Sequence, residues 1–308
     1  MRGVLGLKKG LVFLSCCISL TGGSLVRTAS AEGKDGQLIF KGCGIIRAAF
    51  MSECAEAYKK KTGKDIRITG GGATIGVRAP MAGAADIGAT CRPPLPGKFP
   101  EEEGGYLTMV AWDAICFITH PSNPVTSLTS QQAKDILTGK IANWNEVGGP
   151  DQRILVVYRS QTESDKSSGV GYMLRKLLFH DTDVDFVEDA LHFRDTGLVE
   201  ARIAEIEWTL GATGISSAKK KNLKILALDG IAPTKEAIQS GQYPLFRPLF
   251  IITKDKPHGD AGDFIRWLLS DEGQDIISSQ GTVNLKEGRH LQETYAEWEG
   301  KERILNLK

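Results

Sequence analysis

The 308-residue sequence lacks the patterns of several protein classes. Beyond the N-terminal segment, no apolar run approaches the roughly 18 residues that a membrane-spanning helix needs. The H-E-x-x-H, G-x-S-x-G and P-loop motifs are absent, C-x-x-C pairs are absent, and the five histidines are scattered without ligand spacing. We therefore expect neither an integral membrane protein nor an enzyme, and we expect no cofactor and no bound metal.

The first 31 residues have the composition of a secretory signal peptide. They carry four basic residues and no acid, and they contain an apolar stretch at 11–20 and an A-x-A pattern at 29–31. Cleavage there predicts export to the periplasm and a net charge of −3 in place of +1, which disfavours nucleic acid as a partner. Lipid attachment at Cys16 or Cys17 is the weaker alternative, because Phe13 stands where a lipoprotein signal has a small aliphatic residue.

Four glycine-rich or polar turns follow or end short apolar runs, and most of them open a helical pattern. They are Gly42–Gly44, Gly70–Thr74, Asp86–Arg92 and Arg159–Gly171. Unpaired N–H groups at a helix start carry the positive end of the helix dipole, so turns of this kind can hold an oxyanion. Taken singly, each is also an ordinary strand-to-helix turn. Together they predict an anion-binding cradle.

The order of apolar patterns predicts an α/β protein. Strands and helices alternate as βαβαβ up to residue 89, which favours a parallel sheet. About 277 residues remain after the signal peptide, enough for two cores. The apolar strands Val110–Thr119 and Leu245–Thr253 would carry the chain into a second lobe and back. We therefore place lobe 1 at residues 32–112 and 247–308, and lobe 2 at residues 113–246.

Further helices and strands follow from local periodicity and turn residues. The predicted helices are Arg47–Thr62, Thr74–Ala82, Ser130–Leu137, Val170–Phe179, Leu198–Glu207, Ser216–Asn222, Asp260–Leu269 and Glu272–Gln280. The other predicted strands are Gln37–Lys41, Asp65–Thr69, Asp86–Ala89, Ile154–Val157, Ala212–Ile215 and Lys224–Leu228.

Short segments in a fixed order carry a family resemblance. They are 58–63 (YKKKTG), 70–72 (GGG), 86–88 (DIG), 136–145 (ILTGKIANWN), 211–216 (GATGIS), 247–249 (RPL), 270–274 (SDEGQ) and 281–283 (GTV). From about residue 38 to 283, the chain resembles the phosphate-type periplasmic substrate-binding proteins of ABC transporters. The tail 287–308 lies outside the resemblance, and either docks on lobe 1 through residues such as Tyr295 or forms a loose extension.

The resemblance implies both fold and function. The fold would be the type II, two-lobed periplasmic binding protein fold with a double-crossover hinge. The protein would be a monomer that binds phosphate or a related oxyanion between its lobes and delivers it to the permease subunits of an ABC transporter. The alternative is a sensor or interaction subunit of the same fold that has lost the transport ligand.

The sequence departs from the family pattern where the anion is usually held. Ile46 and Ala73 stand where the first two loops usually offer hydroxyl groups, and Val170 replaces a threonine in the last turn. Cys91 stands where long-chain phosphate binders have a carboxylate. Burying an oxyanion without full hydrogen bonding costs several kcal/mol, so each lost donor must be replaced or affinity falls.

Arg159 is the main candidate anion ligand. It would form a two-pronged bond to an oxyanion or, alternatively, an ion pair with a carboxylate of its own lobe. We interpret Arg47, Arg92 and Lys166 as solvated surface charges, and Asp86 as a residue that ties loops together. The predicted ligand-binding residues are Ile45, Ile46, Ala73, Thr74, Cys91, Arg159, Ser167, Ser168, Gly169 and Val170.

Four cysteines follow the signal peptide. The fold implied by the resemblance places Cys43 and Cys91 on neighbouring strand ends, as candidates for a disulfide that pins two cleft loops together in an oxidising compartment. Unpaired thiols, and a metal or redox site, are the alternatives. Cys54 and Cys116 lie in apolar patterns, so we interpret both as small core residues.

Overall fold

The structure is a computed structural model that describes residues 36–160 and 165–299. The predicted signal peptide and part of the turn that follows Arg159 lie outside the described residues. Within the described part of the chain, no helix has both the length and the apolar character to cross a membrane.

Eleven strands are present among the described residues. They are β1 (Leu38–Gly42), β2 (Ile66–Thr69), β3 (Ile87–Thr90), β4 (Tyr106–Thr119), β5 (Ser127–Leu128), β6 (Leu155–Arg159), β7 (Leu191–Phe193), β8 (Thr209–Gly214), β9 (Lys224–Leu228), β10 (Phe246–Thr253) and β11 (Val283–Asn284). Every predicted strand has a counterpart here, whereas the short strands β5, β7 and β11 were not predicted.

The α-helices are α1 (Gly44–Ile46), α2 (Ser52–Thr62), α3 (Gly72–Met81), α4 (Ser130–Leu137), α5 (Gly169–Leu174), α6 (Thr196–Glu205), α7 (Ile215–Ala218), α8 (Lys235–Gln239), α9 (Gly259–Leu268), α10 (Asp271–Ser279) and α11 (Leu291–Glu299). The π-helical turns Arg47–Met51 and Arg175–Phe179 continue α1 into α2 and extend α5. Short 3₁₀ turns lie at Pro100–Glu102, Trp144–Val147 and Asp165–Ser167. The predicted helix at 216–222 is shorter than expected, and α8 was not predicted.

Eight of these strands pair along one path in the order β2-β1-β3-β10-β4-β8-β6-β7, while β5, β9 and β11 pair off it. Strands β1, β2 and β3 are parallel, as the βαβαβ pattern predicts. The returning strand β10 lies antiparallel between β3 and β4. The mixed sheet with its helices confirms the α/β class.

Strand β4 connects the two parts of the sheet. Its first part, up to Ala114, pairs with β10, and its last part, from Ile115 to Thr119, pairs with β8 and β9. Residues 109–119 are all buried. Both faces of this part of the strand are covered, so its apolar run needs no alternation with polar residues. The two predicted crossover strands are therefore β4 and β10, while the predicted lobe boundaries remain a prediction.

The start of the C-terminal tail docks on β4. Leu291 and Tyr295 of α11 are buried, and the Tyr295 ring meets the Trp112 ring edge to face at 5.9 Å between centroids. This geometry favours docking of the tail over a loose extension for α11. Residues 300–308 lie outside the described residues.

Candidate anion-binding cleft

Three of the predicted turns meet at one edge of the sheet. Cys43 follows β1, Gly70 follows β2 and Cys91 follows β3, and these three strands are parallel. The Cys43 N–H donates to the Ala89 carbonyl at 2.9 Å, which ties the first turn to the third. Carboxyl ends of parallel strands converge in this way in many ligand sites of α/β proteins. The fourth turn begins at Arg159, at the end of β6.

The Arg159 side chain reaches from β6 to the turn that follows β2. It is 6% exposed, and its Nη2 donates to the Gly71 carbonyl at 3.2 Å while its Nε donates to the Arg194 carbonyl at 3.0 Å. Within the described residues, both of these contacts are to backbone carbonyls. Burial lowers the pKa of the Arg159 guanidinium, a cost that an anion beside it would offset.

Gly72 leaves room for this guanidinium. A Cβ at Gly72 would lie 2.0 Å from Arg159 Nη2, and the Gly72 φ of +80° is a conformation that glycine adopts at low cost. The triple-glycine turn therefore allows the arginine to lie directly against the backbone at the start of α3.

Thr74 and Ser167 join the second turn to the fourth. The Thr74 hydroxyl donates to the Ser167 carbonyl at 3.1 Å, and both residues are buried. This contact connects predicted lobe 1 with predicted lobe 2. The proton of the Thr74 hydroxyl is thereby already donated to this carbonyl and is available to an anion only if this contact breaks.

Arg92 is not a solvated surface charge, contrary to the interpretation of the sequence. It is fully buried, and its guanidinium donates to both carboxylate oxygens of the buried Glu102 at 2.7 and 2.8 Å. Its Nε also donates to the Ser167 carbonyl at 2.7 Å. A bidentate partner in the following loop explains why this charge can lie inside the protein.

Lys166, Arg47 and Asp86 are the other charged residues that the sequence singled out. Lys166 forms an ion pair with Asp185 at 2.7 Å at the surface, and the half-buried Arg47 lies near Gly70. Asp86 accepts a hydrogen bond from the Ile39 N–H at 2.7 Å, which ties the residue before β3 to strand β1, while its predicted role in tying loops together stays a prediction.

The start of α5 forms the opposite side of the cleft. The Ser168 hydroxyl accepts a hydrogen bond from the Gly171 N–H at 2.9 Å, so Ser168 caps this helix. A Cβ at Gly169 would lie 2.4 Å from the Cys91 sulfur and 2.9 Å from the Ala73 methyl carbon. The absence of a side chain at Gly169 thus brings the α5 backbone against the turns after β2 and β3.

Several predicted site residues contribute apolar side chains. Ile45, Ile46 and Ala73 are buried in the core, and Val170 is 7% exposed. Ile45 packs against the backbone of Gly214, where a Cβ would lie 2.6 Å from its Cγ2. These side chains shape the cleft but offer no hydrogen-bond donor to an anion.

A buried ion pair that sequence reasoning missed lies behind the cleft. Arg247 on β10 and Asp113 on β4 are register partners in the sheet, and Nη2 of Arg247 lies 3.2 Å from Oδ2 of Asp113. Arg247 Nη1 also donates to the Gly169 carbonyl at 3.2 Å. The R-P-L motif was noted only as a family signature, although an arginine and an aspartate inside long apolar strands are a signal for a buried pair.

Cys43 and Cys91 are free thiols, and the predicted disulfide between them is not formed. Both residues are buried, and each is 2% exposed. The loops do bring the two cysteines together, as the resemblance implied, but the sulfurs remain two separate thiols. Cys54 and Cys116 are also free and fully buried, which confirms both as core residues.

The two cleft thiols differ in acidity. The hydrogen bond from Cys43 and the charges of Arg247 and Arg159 lower the pKa of Cys91 to about 6, although burial opposes this shift. Burial and the neighbouring Cys91 raise the pKa of Cys43 well above its ordinary value. The neighbouring arginines therefore favour the thiolate form of Cys91, whereas burial favours the neutral thiol at Cys43.

Strand-end turns that converge beside buried arginines, together with paired crossover strands, are typical of α/β proteins that bind a small ligand in a cleft. Comparison with known proteins agrees. A family model described as the PBP superfamily domain matches residues 47–272. The chain belongs to this superfamily and, within it, to the phosphate-type substrate-binding proteins of ABC transporters, which have the two-lobed periplasmic binding protein fold.

Two curated relatives illustrate the similarity. The phosphate-binding protein PstS of Borreliella burgdorferi is 33% identical over 189 residues, which cover 60% of this chain and 68% of that protein. The phosphate-binding protein PstS of Bacillus subtilis is 26% identical over 266 residues, which cover 82% of this chain and 83% of that protein.

Solved structures show the same fold. A putative phosphate ABC transporter substrate-binding protein from Clostridium perfringens, solved with bound phosphate, has a TM-score of 0.71 and 28% identity over 80% of this chain and 99% of that one. An ABC-type phosphate transport receptor from Vibrio cholerae has a TM-score of 0.62 and 27% identity over 80% of this chain and 99% of that one.

Proposed function

We propose that this protein binds inorganic phosphate, or a closely related oxyanion, in the cleft and delivers it to the permease subunits of an ABC transporter outside the cytoplasm. The observation that carries the proposal is the buried Arg159 guanidinium, which lies between the turns after β2 and β6 and is bonded to backbone carbonyls. An entering oxyanion would replace the Gly71 carbonyl as the partner of Nη2. Charge-assisted bonds are stronger than bonds to neutral carbonyls, so this exchange favours binding.

The proposed anion site is short of hydroxyl donors. Apolar side chains at Ile46, Ala73 and Val170 leave mainly Arg159 and backbone N–H groups as donors. No carboxylate lies at position 91 to accept the proton of hydrogen phosphate. We therefore expect weak discrimination between hydrogen phosphate and sulfate, because a protonated oxygen gains no special partner.

Calorimetric titration of ligand-stripped protein with phosphate and with sulfate tests the proposal. Arg159→Ala should abolish most of the binding heat, and Arg153→Ala is the matched control, since its side chain is 71% exposed and lies in a surface ion pair with Asp189. Binding that is equal in the two variants would contradict the role of Arg159. An absence of heat and of thermal stabilisation with every oxyanion would contradict the proposed function itself.

The replaced hydroxyl groups favour a second candidate function, which is a sensor or interaction subunit with no transported anion. In that case Thr74, Ser167 and Arg92 would keep the cleft closed permanently. Small-angle scattering distinguishes the two, because a transport subunit should close on adding phosphate whereas an interaction subunit should keep one shape.

A further inference from the structure

A second concave surface lies in predicted lobe 2, apart from the proposed anion site. It is a cavity of about 670 Å³ between the start of α4, the second half of α5 with its π-helical extension, and the segment that leads into β10. Its volume lies in the range of small-molecule sites. We call it the basic pocket after Lys134 and Lys176, which both line it. Lys176 lies about two helical turns, roughly 10 Å, beyond the cleft residue Gly169.

The two lysines supply the positive charge of the basic pocket. Lys134 belongs to α4, and Lys176 belongs to the π-helical turn that extends α5. Both residues are half-buried, and the Lys134 side chain forms no hydrogen bond or ion pair with any described residue. An ammonium group that is partly withdrawn from water, with no counter-charge beside it, is stabilised when an anion binds next to it.

Asp229 is the one acidic residue among the described residues that line the basic pocket. Its Oδ1 accepts a hydrogen bond from the Ser130 N–H at 2.8 Å, and its Oδ2 accepts one from the Ser130 hydroxyl. Both carboxylate oxygens are thus bound to the first residue of α4 and not to a lysine. Two lysines and one carboxylate give the lining a net charge of 2 − 1 = +1 when His180 is neutral. The charge of the pocket therefore matches a ligand with a single negative charge.

One side of the basic pocket is apolar and fixed in place. Leu178 and Leu245 line it, and both side chains are buried. The Leu245 carbonyl accepts a hydrogen bond from the Ile115 N–H at 2.9 Å, and the Tyr243 hydroxyl donates to the Ile115 carbonyl at 2.9 Å. These two bonds hold the segment before β10 against β4. The apolar side of the pocket is therefore formed before any ligand enters, and an apolar group placed on it gains free energy by leaving water.

We propose that the basic pocket binds an organic monocarboxylate with an apolar body. The carboxylate binds Lys134 and Lys176 through charge-assisted hydrogen bonds, and the apolar body packs on Leu178 and Leu245. An organic cation would be repelled by the two lysines, whereas a neutral compound would leave Lys134 without a counter-charge. A small inorganic anion would leave the apolar side uncovered. The site shares no residue with the predicted anion ligands of the cleft and does not rest on the proposed function.

Calorimetric titration of the purified protein with phenylbutyrate tests the pocket, with the neutral phenylbutanol and with acetate as matched probes. We expect one phenylbutyrate per chain, bound at least about tenfold more tightly than either matched probe, because only phenylbutyrate has both the charge and the apolar body. Lys134→Met should lower phenylbutyrate affinity at least about fivefold, and Lys134→Arg should retain most of it. Lys140→Met is the matched control, since the Lys140 side chain is 72% exposed and pairs with Asp135 outside the pocket.

The outcomes separate this site from the proposed anion site. Equal phenylbutyrate affinity in Lys134→Met and Lys140→Met, or equal affinity for phenylbutyrate and phenylbutanol, would overturn the basic pocket. Displacement of phenylbutyrate by phosphate, together with loss of phenylbutyrate binding in Arg159→Ala, would place the probe in the cleft and overturn it too. Phosphate binding without phenylbutyrate binding would support the proposed function and contradict the basic pocket, and the reverse result would do the opposite.

Discussion

Arg247 and Asp113 form an ion pair at 3.2 Å between two strands that are each buried along most of their length. Asp113 also accepts a hydrogen bond from the Ser216 N–H at 3.1 Å, and Arg247 holds the Gly169 carbonyl. The pair therefore links the strands β4 and β10 to α5 and α7. The ion pair fixes the backbone behind the cleft, and neither of its two side chains is exposed to solvent.

Removing one member of this pair should strongly destabilise the fold. Arg247→Met leaves an unpaired carboxylate in the core, so we expect a loss of about 3–5 kcal/mol in the free energy of unfolding. The double variant Asp113→Leu/Arg247→Met should recover part of that loss, because no buried charge remains. Urea unfolding of both variants measures this, with Arg153→Met as the exposed control. A double variant less stable than Arg247→Met would contradict the argument.

The framework of the fold was predictable because long apolar runs and turn residues are local signals. Residues 110–119 form the buried end of β4, and Ser130–Leu137 is a helix with the predicted bounds. The buried charges were not predictable in the same way. Arg92 resembles a surface residue in the sequence, since Glu102 lies ten residues away, and Asp113 and Arg247 are 134 residues apart.

The candidate site was predictable only in its parts. The glycine turns indicated which loops meet, and Arg159, Ser168 and Gly169 do lie at their junction. The state of the thiols was not predictable, because loop position brings two cysteines together without deciding whether their sulfurs bond. That Cys43 and Cys91 remain free thiols depends on contacts that no local pattern encodes.

The Arg92–Glu102 pair should control closure of the cleft. Glu102→Ala leaves Arg92 buried without a carboxylate, so we expect a loss of about 3–5 kcal/mol in the free energy of unfolding. The hydrogen bond from Arg92 to the Ser167 carbonyl should weaken as well, and phosphate affinity should fall. Glu101→Ala is the matched control, because its carboxylate is 50% exposed and it removes only a pair with Arg78, which also pairs with Glu102. Equal stability of the two variants would contradict this role.

Gly72→Ala should remove anion binding by displacing Arg159. The new Cβ would overlap the guanidinium, 2.0 Å away, and the φ of +80° would be strained. Gly148→Ala has a similar φ of +84° but open space around the new Cβ, so it isolates the backbone strain. Phosphate titration of both variants should show loss of binding only in Gly72→Ala. Loss in both variants would attribute the effect to strain rather than to the arginine.

The stability of the reduced protein should depend on pH through Cys91. Its pKa is about 6 in the folded state and 9.0 ordinarily, so between these values the unfolded chain binds more protons than the folded one. Stability should therefore rise with pH across that window, by at most about 1.4 kcal/mol per pH unit, and this contribution should be lost as the pH falls through 6. Urea midpoints measured across the window should show this rise in wild type and in Cys54→Ser, because the pKa of Cys54 is raised to about 12 by burial. Cys91→Ser should lack the rise, and an unchanged slope in that variant would show that another group is responsible.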